Sequence, residues 1–143
     1  MTRIDVAAII AEAKLGRARK EAQEDVCFVF AAALHDVLAD RGIPSELVVA
    51  TKMGLCAIPE WHHSLVKVGD RLYDSMGEFS EEIHRARAKI HPTVKTTIIF
   101  SRDDRANCHD DEFEEYREFF AKALKKAIVT NDAERNRNIG EKA

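Results

Sequence analysis

Nine consecutive apolar residues, from Val26 to Leu34, place the strongest constraint on how this chain can fold. The apolar pattern continues at helical spacing to Leu38 and stops at Gly42, a residue typical of helix ends, so it predicts a helix over about residues 25–40. A helix with so long an apolar run has little room for a solvent-facing side. We therefore expect a central helix that other elements surround.

The composition is that of an ordinary globular domain, with 45% hydrophobic and 33% charged residues in a chain of 143. This length predicts a single domain over residues 1–129, and the low apolar content of residues 130–143 predicts a polar, mobile tail. No apolar stretch approaches the roughly 18 residues of a membrane span, and the N-terminus does not resemble a signal peptide. We expect a soluble cytoplasmic protein without a membrane partner.

Charge and cysteine usage exclude further classes. The formal net charge is −3 with acids and bases interleaved, so nucleic acid is not an expected partner. The three cysteines, Cys27, Cys56 and Cys108, show no CxxC spacing, which argues against a disulfide framework and a four-cysteine zinc site. At least one thiol should be free, as suits a reducing compartment, and we expect neither a metal nor a cofactor. The sequence does not indicate an oligomeric state.

The remaining patterns alternate between helix and strand. Residue preferences predict strands at residues 46–51, 63–68, 71–74 and 96–100, and helices at residues 4–15, from Ser80 to about Ala88, and from Asp110 or Asp111 to Ile128. Gly69-Asp70 is a two-residue connection that closes a hairpin and pairs Val68 with Arg71. The chain is therefore expected to combine helices with strands.

Three residues on three predicted elements can form a nucleophilic site. Cys27 lies in the first turn of the central helix, where the helix dipole stabilises a thiolate and backbone N–H groups can bind an oxyanion. The hairpin register places Asp74 opposite Leu65 and therefore diagonal to His63, within side-chain reach. His63 would take the thiol proton and Asp74 would orient the imidazole. The sequence thus predicts a Cys-His-Asp triad.

These residues stand in a context that resembles a known family. Cys27 near the head of an Ala-rich helix, Gly42-Ile43-Pro44, the strand His63–Val68 and the segment Tyr73–Gly77 together resemble the transglutaminase-like branch of the papain-like cysteine hydrolases, over roughly residues 24–77. The resemblance implies an α+β fold with a central buried helix packed on an antiparallel sheet with flanking helices. It also implies hydrolysis or transfer of a peptide, protein or small amide substrate by a nucleophile, a base and an orienting acid, which correspond to the three residues above.

Two further residues are candidates for substrate binding. Gln23 could supply a side-chain donor to an oxyanion, as a glutamine upstream of the cysteine does in papain-like enzymes, although its position four residues before Cys27 differs from the usual papain spacing. Trp61 could line a substrate cleft, or it could simply pack. The chain departs from the family pattern at Leu65, where an aromatic residue is common. His62 should point to the opposite strand face from His63 and so cannot serve the same site.

Alternative interpretations of the same residues remain open. Cys27 could be a small core residue, since free cysteine is among the most buried residue types, and His63 and Asp74 could each be structural. The fold could then be a catalytically silent papain-like domain that binds a peptide or a protein. A third hypothesis is a metal site that uses His62, His63, Cys108 and His109.

Overall fold

A computed structural model describes residues 5–23, 26–53, 59–102 and 113–141 of the chain. The architecture is α+β, with one five-stranded sheet and several helices packed against it. The α+β class predicted from the sequence is confirmed.

The sheet is antiparallel at every described strand pair. Its strands are β1 (Glu46–Met53), β2 (Pro59–Val68), β3 (Arg71–Asp74), β4 (Gly77–Phe79) and β5 (Thr97–Arg102), in the spatial order β4-β3-β2-β1-β5. Strand β2 begins earlier than predicted, because its pairing with β1 continues to Pro59. Strand β4 was not predicted, since three residues are too few to show a period of two.

The predicted β2–β3 hairpin is present in the predicted register. Val68 pairs with Arg71 across the two-residue turn, and Val66 pairs with Tyr73. Gly69, the first turn residue, has a φ of 61°, a left-handed conformation that hairpin turns of this length require and that glycine adopts without strain. Local turn chemistry therefore sets the register that carries His63 and Asp74.

The helices are α1 (Val6–Glu12), α2 (Ala18–Glu21), α3 (Cys27–Asp40), α4 (Glu81–Arg87) and α5 (Glu114–Glu141). Helix α3 is the predicted central helix. Its residues Phe30 and Leu34 are buried in a core that includes Val66 of the sheet and Phe120 of α5. The Phe30 and Phe120 rings meet edge to face at 5.4 Å, a geometry that aromatic rings prefer. The apolar run of the sequence thus fills the space between sheet and helices.

The two faces of β2 are used differently. Val66 belongs to the core around α3, whereas Leu65 packs in a second, smaller cluster on the other face of the sheet with Ala50 and Phe79. Because side chains alternate along a strand, His63 shares the face of Leu65, and Ser64 shares the face of Val66. His63 and Ser64 are both buried.

Helix α5 passes the boundary that we predicted between the domain and its tail. The backbone remains helical through Glu141 instead of changing at residue 130. Ala133, Glu134 and Arg135 have high helix propensity, and extending an existing helix costs no new nucleus, so a polar segment can continue it. The mobility of this segment stays a prediction. Within the ranges described above, no helix is both long and apolar enough to cross a membrane.

Helix α4 begins where the sequence predicts, at Ser80. The Ser80 hydroxyl oxygen accepts the Ile83 N–H at 3.1 Å, and Glu81 and Glu82 lie in the first turn, where the helix dipole favours acids. We expect Ser80→Ala to lower the free energy of unfolding by about 1 kcal/mol, because one helix N–H loses its acceptor. Ser80→Asp should retain most of this stability. Urea unfolding followed by circular dichroism measures both, and equal midpoints for Ala and wild type would contradict the prediction.

Candidate active site

Cys27 is the first residue of α3, as predicted, and is half-buried. Val26 is the N-cap, and no side chain among the described residues caps this end of the helix. The first helical bonds are donated by Val29 and Phe30 to the Val26 carbonyl. The thiol therefore lies at the positive end of the α3 dipole, and the Cys27 N–H precedes the first intrahelical bond.

His63 and Asp74 meet on neighbouring strands. Nε2 of His63 and Oδ2 of Asp74 are 2.9 Å apart, and each side chain is only 1% exposed. His63 comes from β2 and Asp74 ends β3, so the hairpin brings together the two residues that the sequence predicts as diagonal neighbours. A buried carboxylate fixes the tautomer and orientation of the imidazole that it contacts.

The Cys27 thiol completes the cluster. It lies close enough to the His63 imidazole and to Ser64 that hydrogen bonding by these groups and the charge of His63 lower its pKa. Because Nε2 of His63 contacts Asp74, Nδ1 is the ring nitrogen that can serve the thiol. The structure thus brings together all three residues of the predicted triad.

The Ser64 contact follows from the strand register. In an antiparallel pair, hydrogen-bonded positions alternate, and a two-residue turn makes Val68 and then Val66 such positions. Ser64 is the next one, but β3 ends at Asp74, before a residue that would pair with Ser64. The Ser64 N–H therefore points to the edge of β2 that β3 leaves open, and hydrogen bonding by this backbone group lowers the pKa of Cys27. Sequence reasoning missed Ser64. The two-residue turn and the end of β3 at Asp74 together could have predicted that the Ser64 N–H faces an open strand edge.

The electrostatics of the pair favour its charged form. Burial raises the pKa of the Cys27 thiol, but hydrogen bonds from His63 and Ser64 and the charge of His63 outweigh burial and lower it below the ordinary value. Burial lowers the pKa of His63, but hydrogen bonds to Asp74 and Cys27 outweigh burial and raise it to about 9. Between the two pKa values the pair is a thiolate and an imidazolium.

Asp74 accepts hydrogen bonds at both carboxylate oxygens. Oδ1 accepts the Met76 N–H at 2.9 Å, and Oδ2 accepts Nη1 of Arg87 at 2.8 Å in addition to His63. Burial raises the pKa of Asp74, but the hydrogen bonds from His63 and Arg87 outweigh burial and lower it. Arg87 was not predicted, since nothing in its spacing marks which residue of α4 reaches a strand end.

Three other residues were considered for this site from the sequence: Gln23, Trp61 and His62. Nε2 of Gln23 donates to the Ser75 hydroxyl at 2.8 Å, so one amide hydrogen is engaged there, and its role as an oxyanion donor stays a prediction. The Trp61 backbone pairs with Lys52 in the sheet, and its side chain lies outside the described residues. His62 is exposed and contacts Thr51, as expected for the face opposite His63.

A second network holds the segment that follows Asp74. The buried Ser75 donates its hydroxyl to the Arg19 carbonyl at 2.7 Å, and Nη1 of Arg19 donates to the Ser75 carbonyl at 2.6 Å. Nη2 of the same guanidinium donates to the Ala13 carbonyl at 2.6 Å. These bonds connect the end of β3 to the segment that precedes α3. They therefore help to fix the position of the Asp74 carboxylate relative to the Cys27 thiol.

Two of the four residues of the metal hypothesis, Cys108 and His109, lie outside the described residues. Within the described ranges, no group of three or more His, Cys, Asp or Glu side chains has an arrangement that could hold a metal ion. His62 and His63, the two other residues of that hypothesis, point to opposite faces of the sheet. These two imidazoles therefore cannot ligate one ion in this arrangement.

Comparison with known proteins identified no relative: no protein-family model, curated protein or solved structure matches this chain. The resemblance to the transglutaminase-like branch stays a prediction from the sequence. Any assignment of function therefore depends on the chemistry of the site itself.

Proposed function

We propose that this chain is a thiol-dependent hydrolase or acyl transferase that acts on an amide or peptide bond through Cys27, His63 and Asp74. The observation that carries the proposal is that a buried imidazole, hydrogen-bonded to a buried carboxylate, lies close enough to a thiol at a helix N-terminus to lower its pKa. Burial alone raises the pKa of a thiol, so a cysteine that merely packs would be less acidic than usual. Here the pKa of Cys27 is lowered, the state that a nucleophile needs.

The residues fit the two half-reactions of acyl transfer. The Cys27 thiolate attacks the carbonyl carbon, and the oxygen that becomes negative is stabilised by the Cys27 N–H at the head of α3. The His63 imidazolium gives its proton to the leaving amine, which departs and leaves a thioester on Cys27. Water or a second amine then attacks the thioester, His63 takes the proton of that nucleophile, and the Cys27 thiolate leaves. Asp74 keeps the imidazole oriented throughout.

The fold supports a papain-like, transglutaminase-like variant of this chemistry. A central helix carries the thiol at its head and packs on an antiparallel sheet, and a hairpin of that sheet carries the base and the acid. A free thiol at the site suits a reducing cytoplasm. The substrates that we propose are a peptide, a protein or a small amide. A polyanion such as nucleic acid is not expected, because the net charge is −3 and the acidic and basic residues are interleaved along the chain.

Acylation by p-nitrophenyl acetate tests the proposal without knowledge of the natural substrate. We expect wild type to release nitrophenol and to carry an acetyl group on the Cys27 peptide, detected by mass spectrometry. Cys27→Ala should release nitrophenol at least about 100-fold more slowly, because the nucleophile is absent. Matched controls are Cys56→Ser and Cys108→Ser, which remove the two other thiols of the sequence and should leave the rate unchanged.

Equal rates for wild type and Cys27→Ala would contradict the proposal. That result in a folded protein would favour the alternative function, a catalytically silent domain that binds a peptide or a protein. Positive acylation would justify a screen of peptide and amide substrates in the presence and absence of a primary amine, which separates hydrolysis from transfer.

A further inference from the structure

Arg87 reaches the triad from α4, an element with no part in the chemistry described above. We propose that Arg87 is a positioning residue, which holds the Asp74 carboxylate in place and sets the pH range in which Cys27 and His63 react. This inference rests on the proposed function, because it assigns Arg87 a role in the same site.

The Asp74 carboxylate is held at both of its oxygens, and Arg87 contacts one of them. Nη1 donates to Oδ2 of Asp74 at 2.8 Å, and Nη2 donates to the Glu78 carbonyl at 3.1 Å, so one planar guanidinium joins β3 and β4. His63 contacts the same oxygen, Oδ2, and the Met76 N–H binds Oδ1. Rotation of the carboxylate would break its bonds with Arg87, His63 and Met76. Arg87 therefore fixes Oδ2 of Asp74, the atom that binds and orients the His63 imidazole.

Arg87 also balances the charge of the cluster. In the reactive form, a thiolate at Cys27 and a carboxylate at Asp74 face an imidazolium at His63 and the guanidinium of Arg87, so the four charges cancel. Without Arg87, the buried cluster would carry one net negative charge. The guanidinium is 29% exposed and contacts a carboxylate that is 1% exposed, so solvent screens this charge only in part.

The other titratable groups near the cluster do not replace this charge. His84, also on α4, has a lowered pKa, first because of burial and then because of the charges of Lys52, His63, Arg87 and Arg85, so its neutral form is favoured. Lys52 acts on His84 from β1. The Glu78 carboxylate pairs with Arg71, 3.6 Å away on the surface. Arg87 is thus the cation that contacts the Asp74 carboxylate from outside the proposed triad.

A positive charge at this position favours loss of both protons of the reactive pair. It stabilises the Cys27 thiolate against the thiol, and it disfavours the His63 imidazolium against the neutral imidazole. Both pKa values of the pair should therefore rise together when Arg87 is neutralised. A purely structural role for Arg87 would lower the amount of folded protein and leave the two pKa values in place.

The pH profile of Cys27 alkylation by iodoacetamide, followed by peptide mass spectrometry, tests this inference on the whole chain. We expect two inflections in wild type, and in Arg87→Gln both should move upward by about one pH unit. Arg87→Lys keeps the charge and should keep both inflections, but its steady-state turnover of p-nitrophenyl acetate should fall, because an ammonium cannot hold Asp74 and the Glu78 carbonyl in one plane and deacylation needs an oriented His63. Arg71→Gln, which removes an arginine that is 67% exposed, is the matched control and should leave the profile unchanged.

The outcomes separate this inference from the proposed function. A folded Arg87→Gln with the wild-type profile would overturn the role of Arg87 while the triad stands. A wild-type thiol that reacts like a free one over the whole range would sink the proposed function and this inference with it. If Arg87→Gln does not fold, Arg87→Lys decides: an unchanged turnover of p-nitrophenyl acetate would overturn the inference, and a lower turnover at unchanged inflections supports it.

Discussion

His63→Ala is expected to slow the alkylation of Cys27 by iodoacetamide at pH 5 by at least about tenfold and to move the lower inflection of its pH profile to the free-thiol value of about 8.5 or above. The imidazole supplies both a hydrogen bond and a charge that lower the pKa of the thiol. Without them only hydrogen bonding by Ser64 still opposes burial, which raises the pKa of a thiol and is the largest of these effects. At pH 5 the variant would then be almost entirely a thiol.

Two opposing effects set the size of this change. Lowering the pKa of a thiol increases the thiolate fraction by a factor of ten per unit at acidic pH, but it also weakens the thiolate as a nucleophile, with a Brønsted coefficient of about 0.4–0.5. The gain in thiolate fraction exceeds the loss in nucleophilicity of the thiolate. The resulting difference in alkylation rate between wild type and His63→Ala is largest at low pH. Measurement at pH 5 is therefore more decisive than measurement near pH 8, where the two rates converge.

The neighbouring histidine provides the matched control. His62 is exposed, contacts Thr51 and occupies the opposite face of β2, so His62→Ala should leave the alkylation of Cys27 unchanged. Peptide mass spectrometry resolves Cys27 from the other thiols of the sequence. If His63→Ala and His62→Ala both match wild type at pH 5, Cys27 is a packing residue and the proposed triad is wrong.

Asp74→Ala is expected to lower the free energy of unfolding at pH 7 by about 3 kcal/mol, since removal of one partner from a buried ion pair leaves the other charge uncompensated. The carboxylate is 1% exposed and has three donors, His63, Met76 and Arg87. All three lose their acceptor in the variant. Asp74→Asn keeps an oxygen for one of them and should be destabilised less.

The pH dependence of this loss has a definite sign. The pKa of Asp74 is depressed in the folded state, so its stabilisation is present above the unfolded value of about 3.9 and is lost as the pH falls through the folded value. The difference in unfolding free energy between wild type and Asp74→Ala should therefore be largest near neutral pH and should shrink below about pH 4. Urea unfolding at a series of pH values measures it.

A surface carboxylate provides the control for this series. Asp40 is 69% exposed and lies 4.0 Å from Lys125, so Asp40→Asn should change the free energy of unfolding by less than about 1 kcal/mol at every pH. A loss for Asp74→Ala that is equally small, or that stays constant down to pH 3, would contradict the prediction. The Asp74 carboxylate would then not be held ionised by its partners.

Much of the site was predictable because local rules determine it. The apolar run predicts α3, and its start places Cys27 at a helix N-terminus. The Gly69-Asp70 turn fixes the register of β2 and β3, and counting from it makes His63 and Asp74 neighbours. Each of these inferences needs only the period of an element or the length of a turn.

The sequence by itself determined the elements, the hairpin register and the candidate triad, because helix periodicity, strand alternation and turn chemistry act over a few neighbouring residues. Only the tertiary structure decided which groups surround that triad. Arg87 contacts Asp74 from a separate helix, and Ser64 contacts Cys27 because β3 ends before it can pair with Ser64. Such contacts depend on how packed elements approach one another, and burial then makes them strong enough to set the charges of the site.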